Sequence, residues 1–157
     1  MGIIDNILGK FLGSKSERDN KEIMPLVEKI KEEYDKLTSL TNDELRDRSE
    51  ILRQHIRDYF KPLEDEIAEL REKAESGEMD INESEELYER IDKLGKEVDE
   101  KIEEVLNESI PEAFAIVKET TRRFLENEKL EVTAKQFDRD LAAVKESIEI
   151  AGDKAYW

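Results

Sequence analysis

Residues 87–105 read LYERIDKLGKEVDEKIEEV, and this stretch decides the fold. Its apolar residues recur every three or four positions, which is typical of a helix that packs in a coiled coil. A second stripe of apolar residues with the same spacing precedes it in the sequence. The twelve apolar positions of the two stripes are Ile56, Phe60, Leu63, Ile67, Leu70, Ala74, Leu87, Ile91, Leu94, Val98, Ile102 and Val105. Between them, Gly77 is a natural helix stop and Asn82 or Ser84 a natural start. The pattern therefore predicts an antiparallel coiled-coil hairpin over residues 57–107.

The same stretch carries most of the acidity of the chain. The 157 residues have a net charge of −16, and residues 61–110 alone hold 7 basic and 19 acidic side chains, a net charge of −12. Several acids stand four positions before a base, as Glu86 does before Arg90, and each such pair supports a helix by about 0.2–0.5 kcal/mol. A di-iron bundle would need inward-facing Glu-x-x-His pairs, which a single histidine excludes. The pattern predicts a solvated acidic face and no metal site.

Composition excludes several other classes of protein. No cysteine is present, so a disulfide framework or a thiolate metal site is excluded. The longest unbroken apolar run, residues 113–117, is far shorter than the roughly 20 residues of a membrane span. The first residues lack the basic region and cleavage site of a secretory signal. Net acidity argues against nucleic acid as a partner. These features predict a soluble cytoplasmic segment.

The N-terminal residues 3–12 form a short amphipathic pattern. Ten residues make only a marginal helix in water, so this segment is expected to dock on its own domain, a partner or a lipid surface. The candidate membrane or partner contacts are Ile3, Ile4, Ile7, Leu8, Lys10, Phe11, Leu12, Lys15 and Arg18. Nearby acids leave residues 1–21 with a net charge of only +1. Ordinary packing, partner docking and binding to anionic lipid therefore all remain open.

Two helices are predicted before the hairpin. Residues 19–38 have an apolar face, and Pro25 lies in an early turn or bends the helix. Thr41 or Asn42 caps the next helix, which continues toward the hairpin. Pro62 is expected to kink that helix or to restart it.

A further helix is predicted to begin after the hairpin. Ser109 is its expected cap, Pro111 lies in its first turn, and Glu112 completes a capping box. Beyond it, residues 130–133, 147–150 and 154–157 alternate as strands, with a turn at residues 152–153 and a short helix over residues 136–144. A strand at the last residue predicts that its partner strands lie beyond this chain.

These patterns together predict a mainly α fold. We expect a helical bundle with a protruding antiparallel coiled-coil hairpin and a small β element near the C-terminus. The chain divides into N-terminal helices (residues 1–56), the acidic hairpin (57–107), one further helix (108–125) and the start of an incomplete α/β region (126–157).

Three stretches carry a resemblance to a known family. Residues 11–14, Phe-Leu-Gly-Ser, with Arg18 resemble the N-terminal Phe-Gly-Ser segment of the SecA preprotein translocase ATPases. Residues 40–45, Leu-Thr-Asn-Asp-Glu-Leu, are similar to that family's Leu-Ser-Asp-Glu-Glu-Leu helix entry. Residues 110–119, Ile-Pro-Glu-Ala-Phe-Ala-Ile-Val-Lys-Glu, are similar to its Pro-Glu-Ala-Phe-Ala-Val-Val-Arg-Glu helix. Residues 57–107 and 126–157 depart from the pattern of many members, and we interpret them as insertions.

The resemblance implies an N-terminal segment that stops before the motor motifs of the family. For the parent protein it implies ATP and Mg²⁺ as cofactors, and the SecYEG channel and preproteins as partners. Anionic lipid and a second protomer are further candidate partners. It also implies a cytoplasmic location, peripheral to the inner (plasma) membrane. No catalytic, cofactor-binding or metal-binding residue carries over, so this segment alone is expected to have no enzymatic activity.

An alternative interpretation is a free-standing helical adaptor built on the coiled coil. The heptad pattern supports it equally well, because that pattern predicts helix pairing whatever the rest of the protein does. The similarities at residues 11–14 and 110–119 favour the SecA segment over this alternative.

Overall fold

A computed structural model describes residues 15–76 and 80–157 of the chain. Within these ranges the chain forms four helices and three strands. They are α1 (Lys15–Leu37), α2 (Asn42–Glu75), α3 (Ile81–Glu126), β1 (Glu131–Thr133), α4 (Gln136–Ala142), β2 (Glu149–Ala151) and β3 (Lys154–Tyr156). The predicted mainly α fold with a small β element near the C-terminus is confirmed. Among the described helices, none combines the length and hydropathy needed to cross a bilayer.

Helices α1, α2 and α3 pack around one apolar core. Its buried members are Leu37, Leu45, Leu52, Ala115 and Ile116, with Tyr34, Leu40, Ile56 and Ala113 packed against them. Lys118 of α3 places its ammonium nitrogen 4.0 Å from the centre of the Tyr34 ring, which adds a cation–π contact between α1 and α3. Burying a large aliphatic side chain contributes roughly 1.5–3 kcal/mol, so this core holds the three helices together.

Helices α2 and α3 lie side by side in opposite directions. Arg48 pairs with Glu112, and Glu66 pairs with Arg90, so residue numbers rise along one helix as they fall along the other. All twelve residues of the two apolar stripes are buried or half-buried. These contacts are those expected of antiparallel hairpin arms, while coiled-coil packing of the arms stays a prediction.

One predicted helix boundary is wrong: no new helix begins at Ser109, because α3 runs without interruption through Pro111. Helix α2 continues through Pro62, which excludes a restart there, while a kink stays a prediction. An interior proline removes one hydrogen bond and costs about 3 kcal/mol. Residues on both sides of Pro111, including Val105 and Ile116, are buried, and their burial offsets that cost. Ser109 therefore lies inside α3, where its buried Oγ has no hydrogen-bond partner among the described residues.

The observed helix caps follow local side-chain chemistry. Thr41 caps α2: the Glu44 amide donates to Thr41 Oγ1 at 3.2 Å, and the Thr41 amide donates to Glu44 Oε2 at 2.7 Å. Helix α3 begins earlier than the expected Asn82 or Ser84. Its cap is Asp80, whose carboxylate accepts from the Asn82 amide at 2.8 Å, and a carboxylate is a strong N-cap acceptor.

Residues 127–157, which we call the cap, contain the sheet and α4. The strand order is β1-β3-β2, with both pairs antiparallel and Val132 and Ile150 each opposite Ala155. Gly152, at a φ of 64°, provides the predicted two-residue turn between β2 and β3. The predicted need for partner strands beyond the chain is wrong, because β3 is the central strand and pairs with β1 and β2.

Candidate functional site

The predicted membrane or partner contacts fall largely outside the described residues. Seven of them lie there: Ile3, Ile4, Ile7, Leu8, Lys10, Phe11 and Leu12. Lys15 is the first residue of α1 and is exposed, and Arg18 belongs to the same helix while its side chain lies outside the described part. The contact role of this segment therefore stays a prediction.

The helices bury a charged cluster where α3 meets the turn between α1 and α2. Glu119 is fully buried, and its carboxylate accepts hydrogen bonds from Arg122 Nη2 at 2.7 Å and Arg123 Nε at 2.8 Å. Arg123 also donates to Asn42 Oδ1 at 2.8 Å and to the Leu40 carbonyl at 2.7 Å. The hydrogen bond from Arg122, with further help from Arg123, lowers the pKa of Glu119 to about 2 against the opposing effect of burial. Glu119 therefore fixes two arginines, and one of them, Arg123, holds α3 to the turn.

A second buried carboxylate, Asp138, joins the cap to α2. Arg46 donates to both of its oxygens, at 2.9 and 2.8 Å, and the Trp157 indole donates to Oδ1 at 3.1 Å. The Lys135 amide donates to Oδ2 at 2.8 Å. Burial raises the pKa of Asp138, but these hydrogen bonds outweigh it and hold the pKa below its usual 3.8. Asp138 is therefore ionised, and it accepts hydrogen bonds both from α2 and from within the cap.

The first turns of α2 make further polar contacts with the cap. Asp43 accepts from the Thr133 amide at 2.8 Å and from its hydroxyl at 2.7 Å. Lys135 Nζ forms an ion pair with Asp47 at 2.7 Å. Burial acts to raise the pKa of Asp43, yet the hydrogen bonds from Thr133 bring it below the usual value. Each contact joins residues about ninety positions apart in the chain.

A cleft of about 500 Å³ lies between α2, α3 and the cap. Its apolar lining is formed by Leu45, Ile116, Phe124, Leu130, Val132 and Trp157. Basic residues also line it, but each is already paired: Arg46 with Asp138, and Arg53 with Glu50 at 2.6 Å. The cleft can therefore accept apolar groups and offers little net charge to an ion.

Helix α3 also has an exposed apolar face. On a helical wheel, its members fall within about 100° of one another, on a different side of α3 from the buried Val105 and Ile116. The exposed α3 face consists of Leu106, Phe114, Val117, Phe124 and Leu125, which are 47–82% exposed. A helix that is apolar on two sides has a second surface available for packing.

The described residues do not assemble a metal or nucleotide site. No group of three His, Cys, Asp or Glu side chains within residues 15–76 and 80–157 is placed to hold a metal ion. ATP and Mg²⁺ do not fit here either. In those ranges the glycines are Gly95, inside α3, and Gly152, in the β2–β3 turn, so no glycine-rich loop follows a strand. We derive no catalytic step through this part of the chain.

The sequence contains a signal for one of the buried clusters. The buried face of α3 continues from Val105 and Ile116 to Glu119 and Arg123 at the same spacing of three or four residues. Charged residues at core positions of a helix indicate a buried ion pair. The contact between Arg46 and Asp138 had no such signal, because it depends on how the cap docks.

Known proteins are similar to this chain along most of its sequence. The family model of the SecA DEAD-like domain matches residues 8–138. The protein translocase subunit SecA of Porphyromonas gingivalis (strain ATCC 33277) is 45% identical over 153 residues, which cover 98% of this chain and 14% of the relative. That of Amoebophilus asiaticus is 47% identical over 150 residues, covering 94% and 13%. That of Flavobacterium psychrophilum is 41% identical over 157 residues, covering 100% and 14%. No solved structure matches the chain.

These alignments extend across almost the whole chain while covering about one seventh of each relative. They run through residues 57–107 and 126–157, so the SecA subunits of these organisms share both segments that we interpret as insertions. The family model covers most of the chain, including α1, α2 and α3. The chain therefore belongs to the SecA family of protein translocase subunits.

Proposed function

We propose that the chain is the non-catalytic N-terminal segment of a SecA ATPase that drives preproteins through the SecYEG channel. Two observations support this: the chain belongs to the family, and it spans about one seventh of the length of the curated relatives that it matches. The parent would use ATP and Mg²⁺ and would work in the cytoplasm, peripheral to the membrane. Within it, this segment contributes packing surfaces and, through residues 3–18, contacts with membrane, channel or protomer.

The observation that carries the packing role is the exposed α3 face. Phe114 is 60% exposed and Val117 is 64% exposed, although the opposite side of α3 already packs on α1 and α2. Apolar side chains gain about 25 cal/mol for each Å² removed from water. A contiguous row of them on one helix therefore favours a partner surface, and the rest of the SecA polypeptide supplies one in the parent.

The test is binding between two pieces of one protein. The 157-residue chain is mixed with the polypeptide that the same reading frame encodes after Trp157, and the dissociation constant is measured by calorimetry. We expect Val117→Asp to weaken binding at least about tenfold, because it places a charge in an apolar interface. Val144→Asp is the matched control, since Val144 is 74% exposed on the cap and lies off the exposed α3 face. Its effect should stay within about twofold.

Two outcomes would contradict the proposal. Equal weakening by the two variants would contradict a packing role for the exposed α3 face. A reading frame that ends at Trp157 would remove the proposed function and would leave the helical adaptor.

A further inference from the structure

We propose that the cap (residues 127–157) is a hinged lid that opens from α2 as one body. Its latch is the set of polar contacts that Arg46 and Asp43 make with Asp138 and Thr133. Opening uncovers the cleft between the cap and the helices. This inference concerns the chain itself and does not depend on what the parent protein does.

The cap has the internal structure needed to move as a unit. Its strands pair with one another, and Leu130 and Trp157 exchange two backbone hydrogen bonds at 3.0 Å each. It has buried apolar residues of its own, including Ile148 and Ala155. Its hydrogen bonding and part of its apolar packing therefore remain satisfied when its contacts with the helices change.

Several polar side chains connect the cap to α2. Arg46 donates to both oxygens of Asp138, Asp43 accepts twice from Thr133, and Asn42 Nδ2 donates to the Glu131 carbonyl at 3.0 Å. Water can replace hydrogen bonds of this kind, whereas it cannot replace apolar packing. A contact surface built from them separates more readily than the helix core does.

The interface beside these polar contacts is incompletely filled. The cleft of about 500 Å³ separates Leu45 and Ile116 on the helices from Leu130, Val132 and Trp157 on the cap. A void on one side of an apolar group removes the dispersion contacts that would otherwise hold it. Opening therefore sacrifices less packing here than it would at a close-packed interface.

The segment that connects α3 to the strands of the cap allows the cap to rotate. Helix α3 ends at Glu126, and the next residues, Asn127, Glu128 and Lys129, are exposed and precede β1. Within residues 15–76 and 80–157, this segment is what joins α3 to the cap. A short exposed link of this kind can absorb the backbone rotation of a hinge.

Trp157 is the sole tryptophan of the chain and lines the cleft from the side of the cap, so opening exposes its ring to a quencher. Its hydrogen bond to Asp138 lies within the cap and is kept when the cap moves as one body. In the 157-residue chain we expect Arg46→Gln to raise acrylamide quenching of Trp157 fluorescence about threefold, with helical circular dichroism retained. Arg48→Gln is the matched control. It makes the same change two residues further along α2, but Arg48 pairs with Glu112 of α3 and not with the cap. Equal quenching in the two variants would overturn the latch.

Hydrogen exchange by NMR separates opening from unfolding. The Thr133 amide faces α2 and donates to Asp43, whereas the Leu130 and Trp157 amides bond to each other's carbonyls inside the cap. With Arg46→Gln we expect exchange at Thr133 to rise about tenfold while Leu130 and Trp157 change by less than about twofold. Loss of protection at all three amides would mean that the cap unfolds, and the lid would be wrong.

A milder variant tests the same latch independently. Thr133→Val removes only the hydroxyl that donates to Asp43 and keeps a β-branched residue in β1. We expect it to raise Trp157 quenching by a smaller factor, about 1.5-fold, with Leu130 and Trp157 amides still protected. Quenching that does not change in this variant would overturn the proposal.

Discussion

At the scale of single residues, two buried carboxylates organise this chain. Glu119 and Asp138 are both 0% exposed, and each accepts hydrogen bonds from an arginine. Burying a carboxylate is costly unless a cation and hydrogen bonds compensate it. The two clusters therefore specify geometry: Glu119 orients Arg123 toward the α1–α2 turn, and Asp138 receives Arg46.

Replacing Glu119 should show the cost of leaving an arginine unpaired. We expect Glu119→Gln to lower the free energy of unfolding by about 3–5 kcal/mol, because the buried Arg123 loses its anionic partner. Urea unfolding followed by circular dichroism at 222 nm measures it. Glu126→Gln is the control, since Glu126 also pairs with Arg122 but is exposed, and its effect should be within about 0.5 kcal/mol. Similar losses in both variants would contradict the cluster.

The same variant makes a prediction about pH. The pKa of Glu119 is about 2 in the folded chain and 4.5 in its ordinary state. A carboxyl group with a depressed pKa contributes stability that is fully present above pH 4.5 and is lost as the pH falls toward 2. The unfolding free energy of the wild type should therefore fall more steeply across this interval than that of Glu119→Gln. Parallel curves would exclude Glu119 as the group responsible.

At the scale of elements, apolar and charged residues contribute differently to the pairing of α2 with α3. Leu70 belongs to the half-buried stripe of α2, whereas Glu86 is exposed on α3. A half-buried leucine contributes through the area that it removes from water, while an exposed helical charge pair contributes only about 0.2–0.5 kcal/mol. The apolar stripes should therefore hold the arms, and the acids should keep them soluble.

We expect Leu70→Asp to melt the outer part of the pair, since it puts an unpaired charge at the seam. Amide exchange over residues 60–95 should accelerate, and helical circular dichroism should fall. Glu86→Gln should change the free energy of unfolding by less than about 0.5 kcal/mol. If the two substitutions had equal effects, the apolar stripes would not be what joins α2 to α3.

Local patterns predicted most of these elements. Thr41, one of the two expected caps, begins α2, and Gly152 lies in the predicted turn between β2 and β3, because each feature depends on residues close in sequence. At Pro111 the predicted boundary is wrong, since burial of α3 on both sides of this residue overrides the local cost. The central position of β3, the Arg46–Asp138 pair and the cleft depend on how distant segments dock. A pattern within one segment contains no information about them.

At the scale of the whole molecule, charge is distributed unevenly. The net charge is −16, of which −12 belongs to residues 61–110 on the outer parts of α2 and α3, while the buried clusters are locally balanced. Like charges on neighbouring helical turns repel each other. Salt weakens this repulsion between exposed charges, because the Debye length is only about 8–10 Å at moderate ionic strength and shortens as salt is added. Electrostatic repulsion therefore destabilises the acidic arms, and burial of the apolar stripes must offset it. The core and the cap carry little net charge and are not destabilised in this way.

Reversing one acid in the arms should release part of that repulsion. Glu103 is exposed, with Asp99 four and Glu100 three positions before it, so Glu103→Lys turns two repulsive pairs into two attractive ones. We expect it to stabilise the chain by about 1 kcal/mol at low salt, which corresponds to roughly 2–4 °C in Tm. Glu128→Lys makes the same change in net charge on the link before β1 and should shift Tm by less than about 1 °C. Adding salt to about 0.5 M should raise the Tm of the wild type more than that of Glu103→Lys, because screening removes the repulsion only where it is still present. Equal stabilisation by the two reversals would instead assign the effect to net charge alone, with no special role for the arms.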